Sequence, residues 1–426
     1  MNPVPPKLPL AVQLRAICWL GVVLLIDATG PVLLMAASCT TGLHLWLRTR
    51  HSHTPRSLDA PATARPHWPV AFVLFGLLMA VNVLFQPAFV DAESGPYLLN
   101  IVVTHLFLLL WAYITVPSDR LVISAIHKWS RILICVLSSL LFAQILWRES
   151  FGTYLDFRLL LTGEASRSAI EEFYEGVRPT SLFAEPSNHA IAVFLLVFVH
   201  SVAGRRSFWL TLVAIASCLL TNSTMGALLA LYLLVDEGVR HVHVQPGRLL
   251  KSLPVLLGGI TVVLGLAFVL DASDILFFAY ERVVAPESSY DPIAVRLYVP
   301  FKIADFSAYQ HLLGSGIANY ASFPEGITLN DSSLVLAAYF QLGIVGLAML
   351  WAPVRAYAKN DSWRLALMLL ALYLTKLGLL MPAFWALAAL AHRHPRVRPT
   401  GLSRKRVRTR PSSSRRSAPP AAARAS

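Results

Sequence analysis

The chain has 426 residues, 56% of them hydrophobic and 14% charged, and a formal net charge of +13. Apolar residues gathered in runs of 15–28 exclude an ordinary soluble domain and predict an all-α polytopic membrane protein. Residues 393–426 carry eleven Lys/Arg and no acid, leaving +2 elsewhere, so the basicity belongs to a tail suited to anionic lipid headgroups rather than to a nucleic-acid-binding fold.

The first apolar run, 10–26, follows one weak charge, Lys7, and continues into a second at 30–47, so it is expected to stay in the membrane and not to be a cleaved signal peptide. Further runs at 69–88, 97–117, 131–147, 189–203, 207–221, 223–236, 253–270 and 333–354 predict one helix each. Residues 365–392 contain Lys376 and Pro382 and are expected to cross twice as a broken hairpin, with Lys376 at the outer interface. This gives about 10–12 transmembrane helices in a membrane domain of residues 1–392, followed by a disordered basic tail, 393–426. Cys18, Cys39, Cys135 and Cys218 all fall inside apolar runs, where they behave as small hydrophobes. With the N-terminus placed inside, alternation puts 28 of the 36 Lys/Arg on the cytoplasmic side, so both termini are expected there. Two long segments, 148–189 and 271–333, then lie outside and hold 15 of the 23 acidic residues.

In the first outer loop, Ser168 and Glu171 stand at capping-box spacing ahead of Gly176 and predict a short helix over 168–176. Behind it runs R-P-T-S-L-F-A-E-P-S-N-H, Arg178 to His189. Pro179 and Pro186 push the residues before them toward extended backbone, and Ser187 can cap the next helix. Glu185 then stands just before a helix N-terminus, where the dipole favours its charged form. Two readings follow: Arg178 for a phosphate and Glu185 for a hydroxyl as general base, or an Arg178–Glu185 ion pair that orders the loop.

The second outer loop carries P-E-S-S-Y-D-P-I-A-V-R, Pro286 to Arg296, leading into a helix with Lys302. Then come H-L-L-G-S-G-I-A-N-Y from His311 and N-D-S-S-L from Asn330. Gly314 and Gly316 could let backbone N–H groups approach a phosphate, and His311 is either a base or an interfacial histidine with a structural partner. No cofactor and no metal site is expected: Asp271 and Asp274 are spaced D-x-x-D, and neither loop has the D-x-D of divalent-metal nucleotide-sugar transferases. Asp27, Asn82, Gln86, His105, Gln144 and His200 are scattered singly in or near the spans, unlike the paired mid-membrane charges of a proton-coupled transporter.

Five patches, in order, resemble the Wzy-type polysaccharide polymerases and related O-antigen ligases of bacterial envelopes. They are R-P-T-S-L-F-A-E-P-S from Arg178, L-T-N-S-T-M-G from Leu220, S-S-Y-D-P-I-A-V-R from Ser288, H-L-L-G-S-G from His311, and N-D-S-S-L from Asn330 followed by Q-L-G-I-V-G from Gln341. The resemblance implies an inner-membrane enzyme with cytoplasmic termini and two periplasmic loops bearing functional arginines. Ligases typically have H-N where this chain has Asn330–Asp331, which favours a polymerase, and F-x-E-P-S looks most like the exopolysaccharide, xanthan-type polymerases. An R-x(10)-G repeat of some polymerases is absent, since the eleventh residue after Arg178 is His189 and after Arg296 is Ser307.

The implied reaction joins undecaprenyl-pyrophosphate-linked oligosaccharide repeats, with chain-length regulators and export proteins as further partners. Catalysis is expected from Glu185, with His311 second, and substrate binding from Arg178, Arg296, Lys302, Asn330 and Asp331. The loops sum to −3 and −5, a field that repels an anionic donor unless the basic groups cluster apart from the carboxylates. Alternatives are a ligase transferring polymer to an acceptor, a transporter of the lipid-linked repeat, and a scaffold.

Overall fold

The computed structural model describes residues 8–27, 30–51, 94–117, 119–166, 178–204, 206–244, 292–316, 329, 332–359, 362–377, 379 and 381–393. Among the described residues the fold is all-helical. In chain order the helices are α1 (Leu10–Val23), α2 (Gly30–His51), α3 (Ser94–Thr115), α4 (Arg120–Phe151), α5 (Phe157–Thr162), α6 (Pro186–Ala203) and α7 (Phe208–Leu220). They continue as α8 (Thr224–Val244), α9 (Pro292–Ala304), α10 (Ala308–Leu313), α11 (Leu334–Lys359), α12 (Trp363–Tyr373) and α13 (Pro382–Arg393). By length and composition α4, α6 and α11 can cross a membrane, which marks the chain as a membrane protein. The expected spans at 69–88 and 253–270, the short helix at 168–176 and the tail fall outside the described residues.

Helix α4 begins eleven residues before the expected 131. The Asp119 carboxylate accepts from the Leu121 N–H at 2.9 Å, so a good N-cap starts the helix in charged sequence ahead of the apolar run. Arg120, Lys128 and Arg131 therefore belong to a helix and not to a loop. The stretch 365–392 does break in two: α12 ends at Tyr373 and α13 begins at Pro382.

Helix α6 is apolar all round between its two histidines, His189 and His200, and residues from His189 to Val199 are buried without a gap. A helix with no polar face has no reason to reach the surface, and α6 is enclosed by α4, α7, α8 and α12. The turn from α7 to α8 is the L-T-N-S-T-M-G patch. Ser223 Oγ accepts from the Gly226 N–H at 2.9 Å, and a Cβ on Gly226 would lie 2.2 Å from the Cys218 carbonyl, so only glycine fits there.

Side-chain contacts define the two ends of this bundle. Near one lie Asp27 after α1, Gln144 of α4, Arg178 and Glu185 before α6, Asn222 after α7 and Lys376 after α12. At the other, Arg206 after α6 meets Asp236 and Glu237 of α8 at 2.6 and 2.7 Å, and Arg364 of α12 meets Asp236 at 2.6 Å.

Candidate functional site

The Arg178–Ser187 segment is held from below by one buried amide. Gln144 Oε1 accepts from the backbone N–H groups of Thr180 and Ser181, at 3.1 and 2.7 Å, while its Nε2 donates to the carbonyls of Leu155 and Ser181 at 2.9 and 3.3 Å. Tyr154 Oη lies 2.9 Å from Thr180 Oγ1. Ser181 takes a φ of 55°, a left-handed turn that these bonds fix in place. Arg178 Nε donates to the Asn222 carbonyl at 3.1 Å, so the first two sequence patches are in contact across 44 residues of chain.

Two carboxylates and two cations then gather at the start of α6. Glu185 occupies the N-cap position, yet its side chain makes no capping bond. It instead accepts from Ser187 Oγ at 3.1 Å and pairs with Lys376 Nζ at 3.4 Å. Asp27 reaches over from the end of α1. Its Oδ2 accepts from the Ala184 N–H at 2.7 Å, its Oδ1 accepts from the Asn188 amide, and Arg158 Nη1 lies 3.7 Å from Oδ2. Arg158 also holds Glu164 at 2.5 Å. Burial pushes the Asp27 carboxyl above its ordinary value, and the charge of Glu185 pushes the same way; the Ala184 N–H, Arg158 and Asn188 pull it back.

Both cations in this group were legible as residues but not as partners. Lys376, expected at the outer interface, pairs with the carboxylate singled out as a base. Asp27 looked like an isolated polar residue near a span end, and Arg158 had no motif around it. Only the hydropathy pattern, an apolar run ending in a single acid, hinted at Asp27. The Arg178–Glu185 alternative gives way to two separate partners, since Glu185 pairs with Lys376 and Arg178 donates to Asn222.

Residues 292–316 are assembled on α11. His311 Nδ1 lies 2.8 Å from Tyr339 Oη, and its ring meets Phe306 edge-on, so the structural partner anticipated for this histidine is present. Gly314 and Gly316 do not form a phosphate cradle, which corrects the sequence reading. The N–H groups of Gly314, Ser315 and Gly316 donate to the carbonyls of Gln310, Phe340 and Gln341 at 2.7, 2.8 and 3.1 Å. α11 is broken at Gly343, and a Cβ on Gly314 would sit 2.3 Å from the Gln341 carbonyl carbon. The glycines allow two backbones to touch, joining the H-L-L-G-S-G and Q-L-G-I-V-G patches.

Lys302, on α9, lies over the Tyr298 ring at 5.5 Å, and Arg296 is on the same helix. Asn330 and Asp331 lie outside the described residues, as does S-S-Y-D of the third patch. Just beyond them, the Leu334 N–H donates to the Thr375 carbonyl at 2.9 Å, so the N-D-S-S-L patch ends beside Lys376. The structure thus brings Glu185 together with Lys376, Arg158 and Asp27, and holds His311 in a separate group with Tyr339 and Phe306. Among the described residues no cluster of His, Cys, Asp and Glu could hold a metal ion. No protein-family model, no curated protein and no solved structure matches this chain.

Proposed function

We propose that the chain is a polymerase that joins undecaprenyl-pyrophosphate-linked oligosaccharide repeats into exopolysaccharide on the periplasmic face of a bacterial inner membrane. The single observation that carries this reading is the carboxylate of Glu185 at the mouth of the central helix, released from capping and set beside Lys376. The resemblance of the surrounding patches supplies the substrate class.

In this reaction a hydroxyl of one lipid-linked repeat attacks the anomeric carbon of the growing chain. A new C–O bond forms, the bond to the pyrophosphate oxygen breaks, and its electron pair leaves with undecaprenyl pyrophosphate. Glu185 takes the hydroxyl proton. Arg178, Arg296 and Lys302, with Asn330 and Asp331, form the proposed binding set for the donor and its pyrophosphate. Lys376 and Arg158 balance the carboxylates at the centre of the site, which eases the repulsion expected from the acidic loops. His311 remains the second candidate base, behind Glu185 because its Nδ1 is engaged with Tyr339.

The topology that accompanies this proposal is about 10–12 crossings, both termini cytoplasmic, with the Asp27–Glu185 end outside. The Asp27–Arg158 and Glu185–Lys376 pairs lie at helix ends and not at mid-span, which favours interfacial chemistry over proton-coupled transport.

The test uses the full chain in lipid with an undecaprenyl-pyrophosphate-linked repeat, the product being sized on a gel. A ladder is expected, and Arg178→Ala and Glu185→Ala should each reduce its rate about a hundredfold or more. Unchanged single repeats from folded wild-type protein supplied with the correct repeat would overturn the reading.

A further inference from the structure

Glu185 can act on a substrate hydroxyl only if its backbone holds still, and at the N-cap position its side chain makes no capping bond. The residues on either side are fixed from outside. Ala184, one residue before it, donates its N–H to Asp27 Oδ2 at 2.7 Å, and Asn188, three residues after it, donates its amide to Asp27 Oδ1. One carboxylate from the end of α1 therefore brackets Glu185 with both oxygens, across 157 and 161 residues of chain. Arg158 of α5, 3.7 Å from Asp27 Oδ2, ties that carboxylate to the first outer segment.

The arrangement has the geometry of a positioning device. A side chain that serves only to pair charges has no need to accept from a backbone N–H and an amide on opposite sides of a third residue. The position is also a poor place for an ionised acid, because Asp27 is largely shielded from solvent and stands near a second carboxylate. Such a residue is better explained by what its two acceptor oxygens hold than by any net gain in stability.

We infer that Asp27 is the positioning residue of the site, bracketing Glu185 between Ala184 and Asn188 so that its carboxylate meets the acceptor hydroxyl. This rests on the proposed polymerase reading for its substrate, but not for its geometry. Asp27 touches neither substrate nor reacting atoms; it acts through Glu185. The groups that face Asp27 are Arg158 from α5, Asn188 from α6, and Ala184 and Glu185 from the segment before α6, with Lys376 behind Glu185 and Glu164 behind Arg158.

Asp27→Asn keeps the shape but offers one acceptor oxygen where two are needed, and its amide then faces a second donor. Asp27→Glu restores two acceptors on a longer arm. Asn188→Ala removes the same contact from the other side. Two readouts on the full chain in lipid separate the inference from the reading it deepens. The first is the ladder assay: Asp27→Asn is expected to lower kcat between about tenfold and a hundredfold with KM nearly unchanged and to alter the pH profile of the rate. Asp27→Glu should recover part of that loss, and Asn188→Ala should lower kcat in the same direction.

The second readout needs no substrate. Carbodiimide labelling of Glu185, followed by mass spectrometry, should run several-fold faster in Asp27→Asn and in Asn188→Ala than in the wild type. Active wild type with Asp27→Asn equal to it in rate, pH profile and labelling overturns the inference and leaves the polymerase standing. Inactive wild type with faster labelling in both variants overturns the polymerase and keeps Asp27 as the residue that positions Glu185. Inactive wild type with unchanged labelling overturns both.

Discussion

The two ends of the bundle use charge in opposite ways. Around Arg206 the contacts are short, 2.6 and 2.7 Å, and Arg206, Asp236 and Glu237 are 5%, 7% and 1% exposed. Around Glu185 they are mixed: 3.4 Å to Lys376 and 3.7 Å between Arg158 and Asp27, beside 2.5 Å from Arg158 to the exposed Glu164, with Glu185 and Lys376 26% and 20% exposed. Short pairs on two buried carboxylates clamp α8 and α12 to the turn after α6 and have little freedom to exchange partners. Loose, wetter pairs can trade one partner for a ligand.

The sharpest break of this contrast is a pair of substitutions compared in one melting experiment. Arg206→Met leaves two buried carboxylates short of a partner and should destabilise the protein by about 3 kcal/mol, even with Arg240 and Arg364 still present. Glu185→Gln should change stability by less than about 1 kcal/mol while removing polymer. Equal melting temperatures for the two variants in detergent would erase the distinction between the ends.

A smaller effect is expected where α10 meets the break in α11. Gly314→Ala puts a methyl group against the Gln341 backbone at a φ of 79°, and should cost about 1–3 kcal/mol with the Glu185 pair intact. A melting temperature equal to wild type would mean that this contact opens freely.

Asp27 sharpens the comparison through pH. Its folded-state carboxyl is raised, so its contribution to stability is fully present below the unfolded value of 3.8 and is lost as pH rises through the folded value. Asn does not titrate, so the stability gap between wild type and Asp27→Asn should shrink as pH goes from about 4 to about 7. A gap that widens over that range would reverse the sign assigned to this group.

The smallest change concerns His311. His311→Gln removes one hydrogen bond to Tyr339 and should cost about 1 kcal/mol, with polymer still made. Complete loss of polymer in a folded variant would transfer the role of base from Glu185 to His311.

Hydropathy made the helices legible, because a lipid-facing or fully enclosed helix leaves an unbroken apolar run. Boundaries followed local chemistry instead, as at Asp119, where a cap extends α4 through charged sequence. Glu185 could be found because Pro186 announces a helix start and an acid before it is conspicuous. The groups around it could not: Lys376 is 191 residues away, Asp27 is at the end of α1 with α2 to α5 between, and contacts across helices leave no periodic trace in the chain. The glycines of H-L-L-G-S-G were visible but misread, because close approach to a phosphate and close approach to another backbone demand the same residue.

The enclosure of α6 has a consequence for the order in which the protein is made. Synthesis proceeds from the N-terminus, so Glu185 emerges with α6 well before the chain that completes its surroundings. Its lysine partner arrives only after 191 further residues, behind α12, which packs against α6. The ribosome must therefore run almost the full membrane domain before the carboxylate meets its lysine, and no shorter nascent chain carries the assembled site.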